Sequence, residues 1–139
     1  MKKIIVLLGI ALAVCACAKS QKEMAQNAVS PDKVIKVLYF HGTQRCATCR
    51  AVESLTREVV LQSFASQVKQ GKIVFQVVDF STKEGEKIAD KYEISWSSLL
   101  IVQNGKVEDL TDMAFENAKS NPDVFKTKLK QAINKHLVK

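Results

Sequence analysis

The chain has 139 residues, 47% of them hydrophobic and 25% charged, with a formal net charge of +7 at neutral pH. That length is one domain's worth once a leader is set aside. Its lysines mostly alternate with acids and no arginine-rich stripe carries interleaved aromatics, so nucleic acid is not implied and the charge reads as a solvated surface that tolerates nearby anionic lipid.

The chain opens on a targeting segment. Lys2 and Lys3 form a charged region, and residues 4–14 an apolar run too short for a membrane span, which takes about 20 apolar residues. Its end, Val14-Cys15-Ala16-Cys17, resembles a bacterial lipobox, with Ala16 as the small residue before the modified cysteine. The resemblance implies a signal peptide over 1–16, cleaved after Ala16, and a lipid on Cys17; the other reading is an ordinary signal peptide with two incidental cysteines. Taking 16 residues from 139 leaves 123, and the loss of Lys2 and Lys3 lowers the charge from +7 to +5. The expected location is the cell envelope, lipid-anchored on the extracytoplasmic face of a bacterial membrane, where disulfides persist. Residues 17–31 are polar and read as the lipidated cysteine and a flexible tether reaching on the order of 20 Å, closed by Ser30-Pro31-Asp32. Residues 32–139 are expected to form the domain.

Residues 34–40 are apolar on both faces beyond Lys36, the pattern of an interior strand covered on two sides. The chain then turns through Gly42 into Cys46-Ala47-Thr48-Cys49 at the start of an amphipathic segment. There the unpaired N–H groups and the positive end of the helix dipole favour a thiolate on the first sulfur, and Arg45 and Arg50 add positive charge. Val52, Leu55 and Val59 mark one helical stripe, whereas Leu61, Phe64, Ala65 and Val68 lie nearly opposite. A break is therefore expected at 60–62, followed by a short helix ending at Gln70-Gly71. Residues 73–80 read as a second strand apolar on both faces, and residues 83–92 as a short helix. Two further strands, 99–102 and 106–110, flank Asn104-Gly105, the dipeptide of a tight hairpin. Residues 113–119 are expected to form one or two helical turns. The last helix has Asn121 as N-cap, Pro122 at its first position, Asp123 in the first turn, and a stripe of Phe125, Leu129, Ala132, Ile133 and Leu137.

With Cys17 lipidated, Cys46 and Cys49 have only each other or another molecule to exchange with. A zinc site usually needs a second Cys or His pair downstream, and after Cys49 only His136 is of that kind. Three readings stay open: a thiol–disulfide exchange dithiol, a module holding Cu(I) or another soft ion through Cys46 and Cys49 with His41, and an interaction subunit that uses the pair for sensing. In the first, Cys46 is the nucleophile and Cys49 resolves the mixed disulfide, with His41 as a candidate proton relay for Cys49 or simply a satisfied polar residue at a strand end. His136 reads as structural or solvated. Trp96 either shields the dithiol or fills the edge of the core. No cofactor is expected. The expected partners are a redox protein of unknown identity and the membrane reached through the lipid.

The order β-α-β-α-β-β-α with Cys-x-x-Cys after the first strand resembles the thioredoxin fold, which implies an α/β domain with a four-stranded mixed sheet and helices on both faces. The segments Lys91-Tyr92-Glu93-Ile94 and Leu99-Leu100-Ile101-Val102-Gln103-Asn104-Gly105 resemble their thioredoxin counterparts, so the likeness runs over about residues 34–137. More narrowly, His41-Gly42-Thr43-Gln44-Arg45-Cys46-Ala47-Thr48-Cys49 and Ser95-Trp96-Ser97-Ser98-Leu99-Leu100 resemble the ArsF subunit family of a nitrophenyl compound nitroreductase. The resemblance implies a redox-active Cys46–Cys49 disulfide, with Trp96 and Ser97 facing the substrate. Where thioredoxins carry a tryptophan, Gly-Pro between the cysteines, a buried aspartate and a cis-proline, this chain has Arg45, Ala47-Thr48, Phe40 and Ser97.

Overall fold

The structure is a computed structural model and describes residues 33–138. The expected signal peptide, the lipidation site Cys17 and the tether lie outside the described residues.

The strand read from the apolar run is β1, Ile35–His41, in which only Lys36 is exposed. It lies inside the sheet because it pairs on both edges, parallel to β2 (Ile73–Asp79) and antiparallel to β3 (Ser98–Gln103). β4 (Lys106–Asp109) adds antiparallel to β3, giving the order β2-β1-β3-β4. Parallel β1 and β2 need a crossover. It is supplied by α1 (Ala47–Glu58), a π turn over Val59–Ser63 and α2 (Ala65–Lys69).

Side chains alternate across β1, so its two sets of residues build two cores. Ile35, Val37 and Tyr39 face α1, α4 (Thr111–Asn117) and α5 (Pro122–Leu137), and pack with Val52, Phe125, Leu129 and Ile133. Leu38 and Phe40 face the other way, onto Ala89 and Ile88 of α3 (Lys83–Lys91). A single helix cannot cover that second face, and the expectation that β2 is apolar on both faces is corrected here. β2 is an edge strand whose Val74 is 43% exposed, with Gln76 also exposed; of β2 only Val78 joins the buried cluster on the α3 face.

The break expected at 60–62 is the π turn, whose extra residue rotates the following chain back toward the core. Val59, Val60 and Phe64 are all buried as a result. Leu61 and Ala65, read as part of the second apolar stripe, instead face solvent. α2 ends with the N–H of Gly71, at φ +70°, donating to Val68 O at 2.9 Å and that of Lys72 to Gln67 O at 2.9 Å, the paired bonds of a Schellman cap. α5 begins at Pro122 as the sequence implies. Asn121, however, makes no side-chain capping bond; its amide donates to Ser120 Oγ at 3.4 Å. Lys126 on α5 pairs with Glu58 on α1 at 2.6 Å, a surface contact worth about 0–1 kcal/mol that aligns the two helices.

Asn104 and Gly105 have φ of +53° and +72°, the left-handed pair that lets a two-residue turn follow the twist of the flanking strands. A Cβ on Gly105 would meet nothing within 4 Å, so the cost of Gly105→Val is purely conformational. It is expected to lower stability by about 1–2 kcal/mol, read as a lower Tm with an unchanged spectrum at low temperature. An unchanged Tm would mean the hairpin tolerates an open loop.

The same hairpin is tied to α5 by His136, whose Nδ1 lies 3.0 Å from Gln103 Oε1 and whose Nε2 lies 3.0 Å from Glu108 Oε2. Burial alone would raise the Glu108 carboxyl, but hydrogen bonds from His136 and Lys135 outweigh it and hold the group below its ordinary 4.5. A carboxyl depressed in the folded state stabilises above its unfolded value and loses that contribution as pH falls through the folded one. Acid unfolding below pH 4.5 is therefore expected to be shallower in Glu108→Gln than in the wild type; parallel acid-unfolding curves would remove Glu108 from the account.

Candidate functional site

β1 delivers the chain to the carboxyl end of the sheet, and the loop through Gly42 returns it to the start of α1. Cys46 is the N-cap of that helix, in extended conformation, and its Sγ accepts from the Cys49 N–H at 3.2 Å. This is the capping geometry usually filled by Ser or Asp, here occupied by a sulfur whose negative form the free N–H groups stabilise. One turn on, Cys49 is buried while Cys46 is exposed, and the two Sγ atoms lie 2.8 Å apart as free thiols. The hydrogen bond from the Cys49 thiol is the largest influence lowering the Cys46 thiol below its ordinary 9.0; the Cys49 N–H adds to it, and the Thr48 N–H and hydroxyl add further.

Beneath the pair stands Tyr39, fully buried, whose hydroxyl donates to Cys49 O at 2.8 Å. Burial, and then the nearby Cys49 sulfur, push its phenol up to about 12, so it keeps its proton and acts as a donor. The β1 side chain at the dithiol is thus Tyr39. Phe40, set opposite the thioredoxin aspartate in the most direct alignment, points to the α3 face, where its ring lies edge-on to Tyr92 at 6.1 Å.

Arg45 differs from its expected role. Its guanidinium is ion-paired with Glu53, which also accepts from Arg57 at 3.2 Å, and it also meets the Tyr39 hydroxyl; it is not among the groups that lower the Cys46 thiol. Burial would raise the Glu53 carboxyl, but Arg45 and Arg57 hold it below its ordinary value. Arg50 donates to Arg45 O at 2.6 Å and so fixes the backbone just before Cys46. His41 shares a face of β1 with Tyr39, ring centroids 6.1 Å apart, and its Nδ1–H donates to Gly42 O at 2.9 Å. No hydrogen bond joins it to either sulfur among the described residues.

Across the site, Ser97 Oγ lies 4.0 Å from the Cys49 sulfur, in the loop leading into β3. Trp96 beside it is 63% exposed, so it belongs to the surface around the dithiol and not to the edge of the core. Among the described residues no three His, Cys, Asp or Glu side chains converge as metal ligands, so the set Cys46, Cys49 and His41 does not form a three-ligand site in this geometry. Two thiolates alone remain as soft donors.

The fold is thioredoxin-like. Strand order β2-β1-β3-β4, a helical crossover between parallel β1 and β2, and a Cys-x-x-Cys pair at the start of that crossover carry the assignment. No known family profile matches the chain, and no curated protein matches it. Among solved structures, the X-ray structure of Fasciola hepatica thioredoxin is similar at 20% identity, covering 76% of this chain and 83% of that one, with a TM-score of 0.48. A malarial protein is similar at 17% identity, covering 60% of this chain and 93% of its own, with a TM-score of 0.40.

Tyr39, Glu53 and Arg57 were not singled out by sequence. Glu53 and Arg57 were legible as a pair four residues apart on one helix, a spacing that brings opposite charges together. Tyr39 carried no such signal, since its role depends on α1 lying across β1.

Proposed function

We propose that the domain exchanges disulfides with a partner protein through Cys46 and Cys49. What supports this is the asymmetry of the pair: an exposed sulfur in the N-cap position of α1 with its thiol lowered, and a buried sulfur 2.8 Å behind it. The Cys46 thiolate attacks one sulfur of the partner disulfide; that S–S bond breaks, a mixed disulfide forms, and the other partner sulfur leaves as a thiolate and takes a proton. Cys49, deprotonated, then attacks Cys46, the mixed bond breaks, and the second partner sulfur leaves. Two electrons pass from the dithiol to the partner, and the steps run backwards when the domain acts as oxidant. Tyr39 holds the backbone at Cys49 in place, and Ser97 Oγ stands 4.0 Å from the Cys49 sulfur.

Intact mass after thiol alkylation, with and without reductant, tests the reading. A reversible gain and loss of two protons at Cys46 and Cys49, with no bound metal, supports it. Stoichiometric copper or zinc in the purified protein supports the soft-metal alternative, which two thiolates could serve with ligands from another molecule. The narrower kinship with the ArsF family rests on the segments around Cys46 and Trp96 and extends to no substrate.

The same proposal places the domain on the extracytoplasmic face of a bacterial membrane, held by a lipid on Cys17. Its support is the Ala16-Cys17 junction after an apolar run; among the described residues no helix is long and apolar enough to cross a membrane. Cys17→Ser is expected to leave the leader uncleaved and the lipid absent, read as an intact mass that retains residues 1–16 and carries no acyl chain. Equal processing of wild type and variant, with no acyl chain on either, would remove the anchor.

A further inference from the structure

Beside the dithiol, Arg45, Arg50, Glu53, Ser54 and Arg57 line a cleft of about 330 Å³ along the outer side of α1. Three arginines against one carboxylate leave it a net charge of +2, and Glu53 is already engaged by Arg45 and Arg57. Arg50 is exposed and Arg57 is 51% exposed, so both can turn planar donor forks toward an incoming carboxylate. Arg57 is also braced from behind, its guanidinium 5.3 Å from the Phe75 ring, which holds the charge at the surface end of the cleft. The cleft begins at the residue before Cys46, because Arg50 clasps Arg45 O at 2.6 Å and its own N–H bonds Cys46 O at 3.2 Å.

Resting on the exchange reading above, we infer that this cleft receives an acidic polypeptide segment next to the partner's disulfide. Its length decides between a polypeptide and a small disulfide. From Cys46 to Arg57 the helix rises about 16 Å at 1.5 Å per residue, the span of about five residues of extended chain. A small disulfide bound at Cys46 would reach only the Arg45 end. The partner therefore carries Asp or Glu within about two to five residues of the attacked cysteine. The charges speed encounter and orient the disulfide, and the chemistry remains that of Cys46 and Cys49. In balance, the reduced dithiol gives two electrons and two protons, and the peptide disulfide becomes two thiols.

The test is single-turnover oxidation of the reduced full chain by three cyclic peptide disulfides of equal ring size, flanked by acidic, neutral or basic residues, with oxidised glutathione as the small-disulfide probe. At low salt the acidic peptide is expected to react about tenfold faster than the neutral one, the low end of electrostatic steering, and the advantage should fall to about twofold in 0.5 M NaCl, where the screening length is only a few ångströms. The Arg50→Gln, Arg57→Gln double variant should lose the acidic preference, read as the ratio of the acidic to the neutral rate, in which any change at the Cys46 thiol common to both peptides cancels. Equal rates for acidic and neutral peptides, or a preference that survives the double variant, would overturn the inference. An acceleration of glutathione as large as that of the acidic peptide would reassign the cleft to a small anionic disulfide. Failure of every disulfide, the neutral peptide included, with both thiols still titratable, would instead remove the exchange reading itself.

Discussion

Cys49→Ser is expected to accumulate mixed disulfides through Cys46, whereas Cys46→Ser should capture a partner more than about 10³-fold more slowly, the scale on which losing a nucleophile acts. Cys46 is exposed, sits where the Cys49 N–H meets it at 3.2 Å, and has its thiol lowered from 9.0 by the Cys49 thiol and N–H and by Thr48. Cys49 is buried behind it, over the Tyr39 hydroxyl, reachable by Cys46 and by little else. A sulfur so placed can release a captured partner and cannot capture one. Non-reducing electrophoresis of both variants, with iodoacetamide rates across pH on the purified proteins, checks the assignment. The Cys46 rate should show its inflection below pH 9.0. Faster alkylation of Cys49, or a partner trapped by Cys46→Ser, would exchange the two roles. If neither variant traps anything and both lose copper, the metal reading takes over.

A second large effect is expected from a substitution that helix propensity alone would call favourable. Gly85 lies in the first turn of α3, where alanine is the better helix former by about 1 kcal/mol. Yet a Cβ there would sit 1.9 Å from Asp79 O and 2.5 Å from the Asp79 carbonyl carbon. Those are backbone atoms at the end of β2, and they cannot rotate aside. The close approach is built by Thr82, whose hydroxyl donates to Asp79 O at 2.8 Å while accepting from Gly85 N at 3.0 Å. Gly85→Ala must therefore push α3 off the sheet or open the cap. Overpacking costs about 1–3 kcal/mol and loss of the cap about 1 kcal/mol more. Set against the gain in helix propensity, the net loss of about 1–3 kcal/mol corresponds to a fall in Tm of about 5–15 °C for a domain of this size. Thermal unfolding of the variant measures it. A Tm equal to or above that of the wild type would mean that the β2–α3 junction is looser than described. The junction is also near the dithiol end of the sheet, since Phe80 N donates to His41 O at 2.9 Å just after it, so slower thiol exchange in Gly85→Ala is expected alongside.

What the sequence determined by itself were the features written over a few consecutive residues. The apolar run of β1, the cysteine pair at a helix start, the positive φ of Asn104-Gly105, Pro122 opening α5 and the break at Val59–Ser63 each depend on local sterics or on the period of a single element. The four-stranded sheet with helices on both faces was what their resemblance to the thioredoxin fold implied, and the structure has it. Other properties depended on which elements became neighbours, and only the tertiary structure decided them. β2 reads as apolar on both faces, yet Val74 and Gln76 are exposed, because the cluster beneath α3 takes up only Val78 of that strand. Arg45 stands beside Cys46 in sequence, yet its guanidinium pairs with Glu53, because the fold of the loop before α1 brings it within reach of a carboxylate two turns into that helix. Tyr39 and not Phe40 meets the dithiol, because strand residues alternate faces and α1 crosses β1 on the face of Tyr39. Backbone preference is settled within a turn or a strand pair; a side chain's partner is settled by packing among segments far apart in the chain, and no local pattern encodes it.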